Sequence, residues 1–241
     1  MSIPIIDSHI HLFPASHLPT LSWYGPGSPL GSQHCVDEYR LATASAPVTP
    51  DSSNSPTNPV YLRGYVFVET DRVSSIEERI NPADGGGSGD GDGWKHVLDE
   101  VALLARIIRG EAVDGDRYRH TDRPDCLGIV TWAPVPGGVE VLKRYMQRVK
   151  EVTVTDGDVS KKVCGVRYLI QDKPAGVVLK STFIDGLKWL GREGLTFDLG
   201  VDARQGGLGQ LREAVEMMKQ IYEGVDEKEQ VVIIISKSSL L

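Results

Sequence analysis

The residues best placed for chemistry open the chain, in the run Ile5-Ile6-Asp7-Ser8-His9-Ile10-His11-Leu12. Successive side chains of a β-strand point to opposite faces, so His9 and His11 project together and two imidazoles can meet one metal ion. Asp7 has the same parity one layer deeper, where a carboxylate can fix a histidine tautomer by accepting its second N–H. The competing reading is of two polar loop residues at a strand exit. The apolar run from Ile3 to Ile6, which reads as a strand, favours the chelating pair.

Positioning such a pair needs a scaffold, and the rest of the chain supplies one. Apolar runs rich in β-branched residues alternate with helical patterns, as in parallel βαβ units. The runs from Leu62 to Val68, Leu127 to Trp132, Val163 to Ile170, Leu195 to Val201 and Val231 to Ile235 read as five more strands. Val231 to Ile235 has the unbroken apolar character of a strand buried on both sides. Helices are predicted near Val36 to Thr43, Trp94 to Arg109, Val139 to Val149, Thr182 to Leu190 and Leu208 to Tyr222. In the last, Leu211, Val215, Met218 and Tyr222 share one face. Later strand starts fall about 30 to 36 residues apart, a spacing that suits either a (β/α) barrel or a doubly wound sheet.

Two segments interrupt the pattern. Residues 46–59 hold four prolines among many Ser, Thr and Asn and read as an insertion loop. Residues 84–93 are Gly and Asp with one Ser. They lack the Gly-Lys-Ser/Thr ending of a phosphate loop and the aspartate spacing of an EF-hand, so they read as a flexible acidic insert. The remainder is expected to form one domain over residues 1–241.

Composition narrows the function classes. The chain has 241 residues, 40% hydrophobic and 24% charged, with a formal charge of −7. No apolar run approaches the roughly 20 residues that span a bilayer, so no membrane span is expected. The net negative charge argues against nucleic acid as a partner and leaves a small molecule as the expected one. The composition says nothing about oligomeric state. Cys35, Cys126 and Cys164 are odd in number and far apart, as free thiols are. The first residues lack the features of a secretion leader, and a cytoplasmic protein is expected.

The opening run resembles the first-strand signature of the amidohydrolase superfamily, specifically its amidohydrolase-2 branch of sugar lactonases, dicarboxylate lactonases and nonoxidative decarboxylases. Tyr65-Val66-Phe67-Val68-Glu69-Thr70, Gly165-Val166-Arg167-Tyr168-Leu169-Ile170-Gln171 and Leu195-Thr196-Phe197-Asp198-Leu199 are similar to the second, fourth and fifth strand ends of lactonase-like members. The resemblance implies an α/β fold, a TIM-type (β/α) barrel, with water attacking a lactone or amide carbonyl at the C-terminal ends of the strands. His9 and His11 would be ligands of a divalent metal, zinc above other ions. Glu69 would be a ligand or proton carrier, Asp198 a catalytic carboxylate, and Arg167 and Gln171 substrate-binding residues. Hydrolysis through an aspartate and arginines without metal is a second route that the resemblance leaves open, and a decarboxylase using the same histidine pair is a third reading.

The chain also departs from that family. His17, His34, His96 and His120 all precede residue 121, so no histidine stands at a fifth or sixth strand end. The run Val231 to Ile235 is followed by Ser236-Lys237-Ser238 rather than a His-Leu-x-Lys-Pro turn. Six of eight βα units are expected, forming an incomplete barrel open between its first and sixth strands, truncated at the carboxyl end. A noncatalytic fragment binding a partner through its open edges is the corresponding alternative.

Overall fold

A computed structural model describes residues 3–25, 27–44, 60–78, 92–111, 126–155, 157–201 and 207–237. The insert at 46–59 and most of that at 84–93 lie outside the described residues. Six strands and five α-helices are described: β1 (Ile3–Ile10), α1 (Val36–Ala42), β2 (Val60–Val68), α2 (Lys95–Arg109), β3 (Cys126–Trp132), α3 (Val139–Val154), β4 (Val163–Arg167), α4 (Ser181–Arg192), β5 (Thr196–Val201), α5 (Gly207–Tyr222) and β6 (Ile233–Lys237). The strands pair in chain order, all parallel, in one curled sheet. This is an incomplete TIM-type barrel, with β1 and β6 at its two edges.

Binary patterning explains the layer between sheet and helices. Val166, Phe197 and Leu199 pack there with Val97 and Val101 of α2, Leu142, Tyr145 and Val149 of α3, and Phe183, Leu187 and Leu190 of α4. A second cluster joins Ile10, Leu12, Tyr65, Phe67 and Ile129 to Leu103, Leu104 and Ile107 of α2. Because alternate strand residues fill this layer, their neighbours must face the barrel interior.

Four expectations need correction, the fourth being the run Val163 to Ile170, which is a strand only as far as Arg167. In α5 the buried residues are Ala214, Met217 and Ile221, while Val215 is 50% exposed. Met218 and Tyr222 of the expected stripe still pack half-buried against the same core, so the buried face is turned by one residue and not replaced. The run Val231 to Ile235 is not buried on both sides: Val232, Ile234 and Ile235 are exposed, because β6 is an edge strand. On the other edge Ile3, Ile5 and Ile6 of β1 are likewise exposed, as an open barrel requires. The third concerns Asp7 and is described with the site.

Gly191, near the end of α4, marks the closest approach of helix to chain. A Cβ there would collide with the carbonyl oxygen of Glu229 and come within 2.5 Å of the Val231 backbone nitrogen. Alanine normally stabilises a helix relative to glycine by about 1 kcal/mol. Here the sign should reverse: Gly191→Ala is expected to lower stability by about 1–3 kcal/mol, the usual cost of overpacking, as read from urea denaturation.

Candidate active site

The register of the sheet brings the candidate residues together. Arg167 and Asp198 are partners across β4 and β5, so their side chains leave the sheet on one face at one level. Glu69 continues β2 by one residue, its N–H donating to the Val130 carbonyl at 2.9 Å. All three are buried, Glu69 to 1% exposure, Asp198 to 2% and Arg167 to 5%. The Arg167 Nε stands 3.4 Å from Asp198 Oδ1 and 3.6 Å from Glu69 Oε1. His9 Nδ1 lies 4.0 Å from the other Asp198 oxygen.

The histidine pair is present as the spacing predicts, with ring centroids 5.0 Å apart and planes at 81°. His11 Nδ1 is 2.9 Å from the Val68 carbonyl. A carbonyl only accepts, so Nδ1 carries the proton and Nε2 keeps its lone pair. The tautomer is thus set by a backbone carbonyl and not by Asp7. The β1–β2 register slips between Asp7 and Ile10, which places one extra β1 residue there and reverses the parity assumed from the sequence. Asp7 pairs with Tyr65, a residue of the helix-side layer, and its carboxylate accepts a hydrogen bond from Tyr39 of α1 at 3.4 Å. It reaches His9 only as a charge within electrostatic range.

Gln171 lies beyond the end of β4 in a turn and not on the strand, yet it reaches the same cavity. That cavity measures about 280 Å³, with His11, Glu69, Arg167 and Gln171 on its polar side and Phe13 and Trp23 on its apolar side. Among the described residues Glu69 Oε1, Arg167 Nε and Gln171 Oε1 are buried there without a hydrogen-bond partner, the first two facing each other as an ion pair at 3.6 Å. Native proteins rarely leave buried polar atoms unmatched, so a polar group entering this cavity would find partners in them.

Burial governs the protonation states. Desolvation raises Glu69 to about 8, against the opposing pull of Arg167 and with the like charge of Glu100 adding to it. Glu69 is therefore mostly protonated at neutral pH. His11, exposed at the rim of the cavity with protein packed around its ring, is lowered to about 4 by desolvation, with the Val68 bond opposing and His9 and Arg167 reinforcing. Desolvation lowers His9 too, opposed by Asp198.

These shifts set how stability varies with pH. Glu69 and Glu100, raised from 4.5 to about 8 and about 7, contribute stability that is complete below pH 4.5 and lost as pH rises through those values. His11 and His17, lowered from 6.5 to about 4 and about 3, contribute stability present above pH 6.5 and lost as pH falls through those values. The two trends oppose between pH 4.5 and 6.5 and act singly outside that window. Calorimetric melts are expected to show a plateau there with a fall on either side, and Glu69→Gln should flatten the alkaline limb.

Two imidazoles with one lone pair freed suit a metal ion. The described residues nonetheless assemble no group of three or more His, Cys, Asp and Glu side chains able to hold one. The donor set is thus short of the three protein groups usual in a catalytic zinc site. Sequence reasoning also missed Trp23, whose indole donates to the Thr70 carbonyl at 2.9 Å, and Asp71, whose φ of 57° is the one positive value at a non-glycine residue among those described. A lone tryptophan in a loop carries no periodic signal. Asp is among the few residue types that tolerate that backbone region, but the type alone does not reveal it.

Polar side chains gathered at the C-terminal ends of parallel strands define an enzyme-like barrel face. No family model matches the chain. It is 28% identical over 218 residues to the L-rhamnono-gamma-lactonase of Scheffersomyces stipitis, a match covering 90% of this chain and 57% of that protein. The chain thus spans a little more than half the length of this curated relative. An amidohydrolase from Burkholderia multivorans shares the fold at a TM-score of 0.52 and 18% identity, covering 90% of this chain and 53% of that one. Amidohydrolase 2 from Bifidobacterium longum subsp. infantis aligns at 0.47 and 18% identity over 95% of this chain and 66% of that one. The chain is thus similar to a lactonase over nine-tenths of its sequence and shares its fold with an amidohydrolase.

Proposed function

We propose that this chain carries the catalytic face of a hydrolase that opens sugar-derived γ-lactones, built as a single barrel-type domain. The observation that carries the reading is the pairing of buried Arg167 with both Glu69 and Asp198 at the ends of three neighbouring strands, where Glu69 and Arg167 line a cavity with an aromatic wall. The similarity to a protein named as a lactonase for rhamnonolactone supports the substrate class.

Each residue then has a role that follows from its surroundings. Arg167, whose guanidinium lines the cavity, supplies the positive charge that favours the oxyanion formed at the lactone carbonyl. Asp198, held by Arg167 on one side and His9 on the other, accepts the proton of the attacking water. Glu69, protonated at neutral pH, gives its proton to the ring oxygen as the acyl C–O bond breaks. Gln171 Oε1 accepts from a sugar hydroxyl, and Phe13 and Trp23 pack on the C–H face of the ring. One water is consumed, and one hydroxy acid is released.

His9 and His11 are the residues that would hold a divalent ion, zinc by the family resemblance. When bound, such an ion would polarise water or carbonyl at this place. The proton transfers above use only the chain's own side chains, because the described donors fall short of a three-residue set. None of the three cysteines is in a disulfide and Cys164 is exposed, which fits a reducing compartment such as the cytoplasm. Opening an aldono-γ-lactone in ¹⁸O-water tests the chemistry. Label in the product carboxylate is the expected result, and label in the new hydroxyl would overturn attack at the carbonyl.

A further inference from the structure

One buried carboxylate has no part in that chemistry. Glu100 sits on α2 at 1% exposure, in a helix whose other buried residues are Val97, Leu98, Val101, Leu103, Leu104, Ala105 and Ile107. An acid in an apolar layer costs free energy unless its oxygens are matched. Glu100 Oε1 accepts both hydrogens that Thr70 offers, the backbone N–H at 3.1 Å and the hydroxyl, and the Arg72 guanidinium lies within electrostatic range.

Thr70 is the residue on which the corner after β2 turns. Glu69 precedes it and Asp71 follows, with φ of 57°, donating its N–H to Glu69 Oε2 at 2.6 Å. The Thr70 carbonyl accepts from Trp23 Nε1 at 2.9 Å. Arg72 in turn donates to Thr20 Oγ1, from Nε at 3.1 Å and Nη2 at 2.6 Å, and pairs with Leu21 through an isolated antiparallel bridge. Glu100 therefore ties together the strand end that bears Glu69 and the loop that brings Trp23 to the cavity. An unfavoured backbone conformation such as that at Asp71 persists only when its surroundings over-determine it, and these bonds do so.

We infer that Glu100 is a positioning residue, which through Thr70 holds the β2 corner so that Glu69 faces Arg167 and Trp23 walls the cavity. The inference rests on the lactonase reading for its kinetic consequence but not for its structural one. Removing the acceptor frees Thr70, lets Asp71 relax and releases Glu69 Oε2 from its bond.

Hydrogen exchange of the Trp23 indole N–H and the Thr70 amide, followed by NMR in the full chain, tests the structural part. Glu100→Leu is expected to speed both at least 10-fold while Glu100→Gln, which keeps an acceptor oxygen, stays within about 3-fold; Thr70→Val serves if Glu100→Leu does not fold. Unchanged exchange in a folded Leu or Val variant overturns the inference. In kinetics, Glu100→Leu is expected to lower kcat for a γ-lactone at least 10-fold, with rescue by Gln and no further loss in a Glu69→Gln background. A Leu variant with wild-type kcat, or losses that multiply with those of Glu69→Gln, overturns the positioning role. Should the wild type open no lactone, the function proposed above fails, and the exchange data still decide whether Glu100 holds the corner.

Discussion

Asp198→Asn is expected to lower kcat for lactone opening by about 10²–10⁴-fold, the range over which a positioned general base contributes. The amide keeps the shape of the carboxylate, and its oxygen can still face Arg167, so the fold should survive. What it loses is a basic oxygen for the proton of the attacking water. Substrate contacts made by Arg167, Gln171 and the aromatic wall are untouched, so KM should change by less than about 3-fold and the loss should appear almost wholly in kcat. A variant with raised KM and unchanged kcat would reassign Asp198 to binding. Steady-state rates with the wild type beside the variant check this.

The second large effect is on stability. Arg167 stands between two buried carboxylates, within 3.4 Å of Asp198 and 3.6 Å of Glu69. Burying charges is tolerable when they are paired, and removing one partner of a buried set typically costs about 3–5 kcal/mol because the remaining charge is left uncompensated. Arg167→Met, which keeps the aliphatic stem, is expected to cost that much at pH 9. The cost should shrink as the pH falls. Arg167 does most to hold Glu69 down against desolvation, with the Asp71 N–H adding less, so its loss moves that carboxyl further above 8, and protonation then removes one of the two stranded charges at progressively higher pH. Urea denaturation of both proteins at pH 6 and pH 9 measures the difference. A penalty independent of pH would mean that Glu69 does not respond to Arg167.

Much of this architecture is legible in the sequence, and what is missing has identifiable physical causes. The strands are short β-branched runs whose alternation with helical stripes survives inspection of a single chain, and each described strand overlaps its predicted run. Their ends are less visible. The strand from Val163 stops at Arg167 and not at Ile170, because Gln171 and its neighbours turn over the barrel mouth. His9 and His11 stay side by side, their ring centroids 5.0 Å apart. Asp7, two residues earlier, is lost to a bulge that no local residue pattern announces. Asp198 is legible as an acid inside an apolar strand, and it is buried as that position demands. Glu100 is equally buried but lies in a helix, where an acidic residue between apolar ones reads as an ordinary solvent-facing position. Only the Thr70 corner, 30 residues away in sequence, explains it.

The open edges bear on every functional test. Ile3, Ile5 and Ile6 on β1 and Ile234 and Ile235 on β6 expose apolar surface at the two ends of the sheet. Exposed apolar edges promote association, so activity and stability are to be measured on material shown to be monodisperse.

The most direct test is a set of progress curves for purified, folded chain on a panel of aldono-γ-lactones, with acid release recorded against buffer alone. Saturable opening of at least one sugar lactone, far above the spontaneous rate, is the expected result. A folded chain under which every lactone opens no faster than in buffer would contradict the assignment of catalysis to Glu69, Arg167 and Asp198.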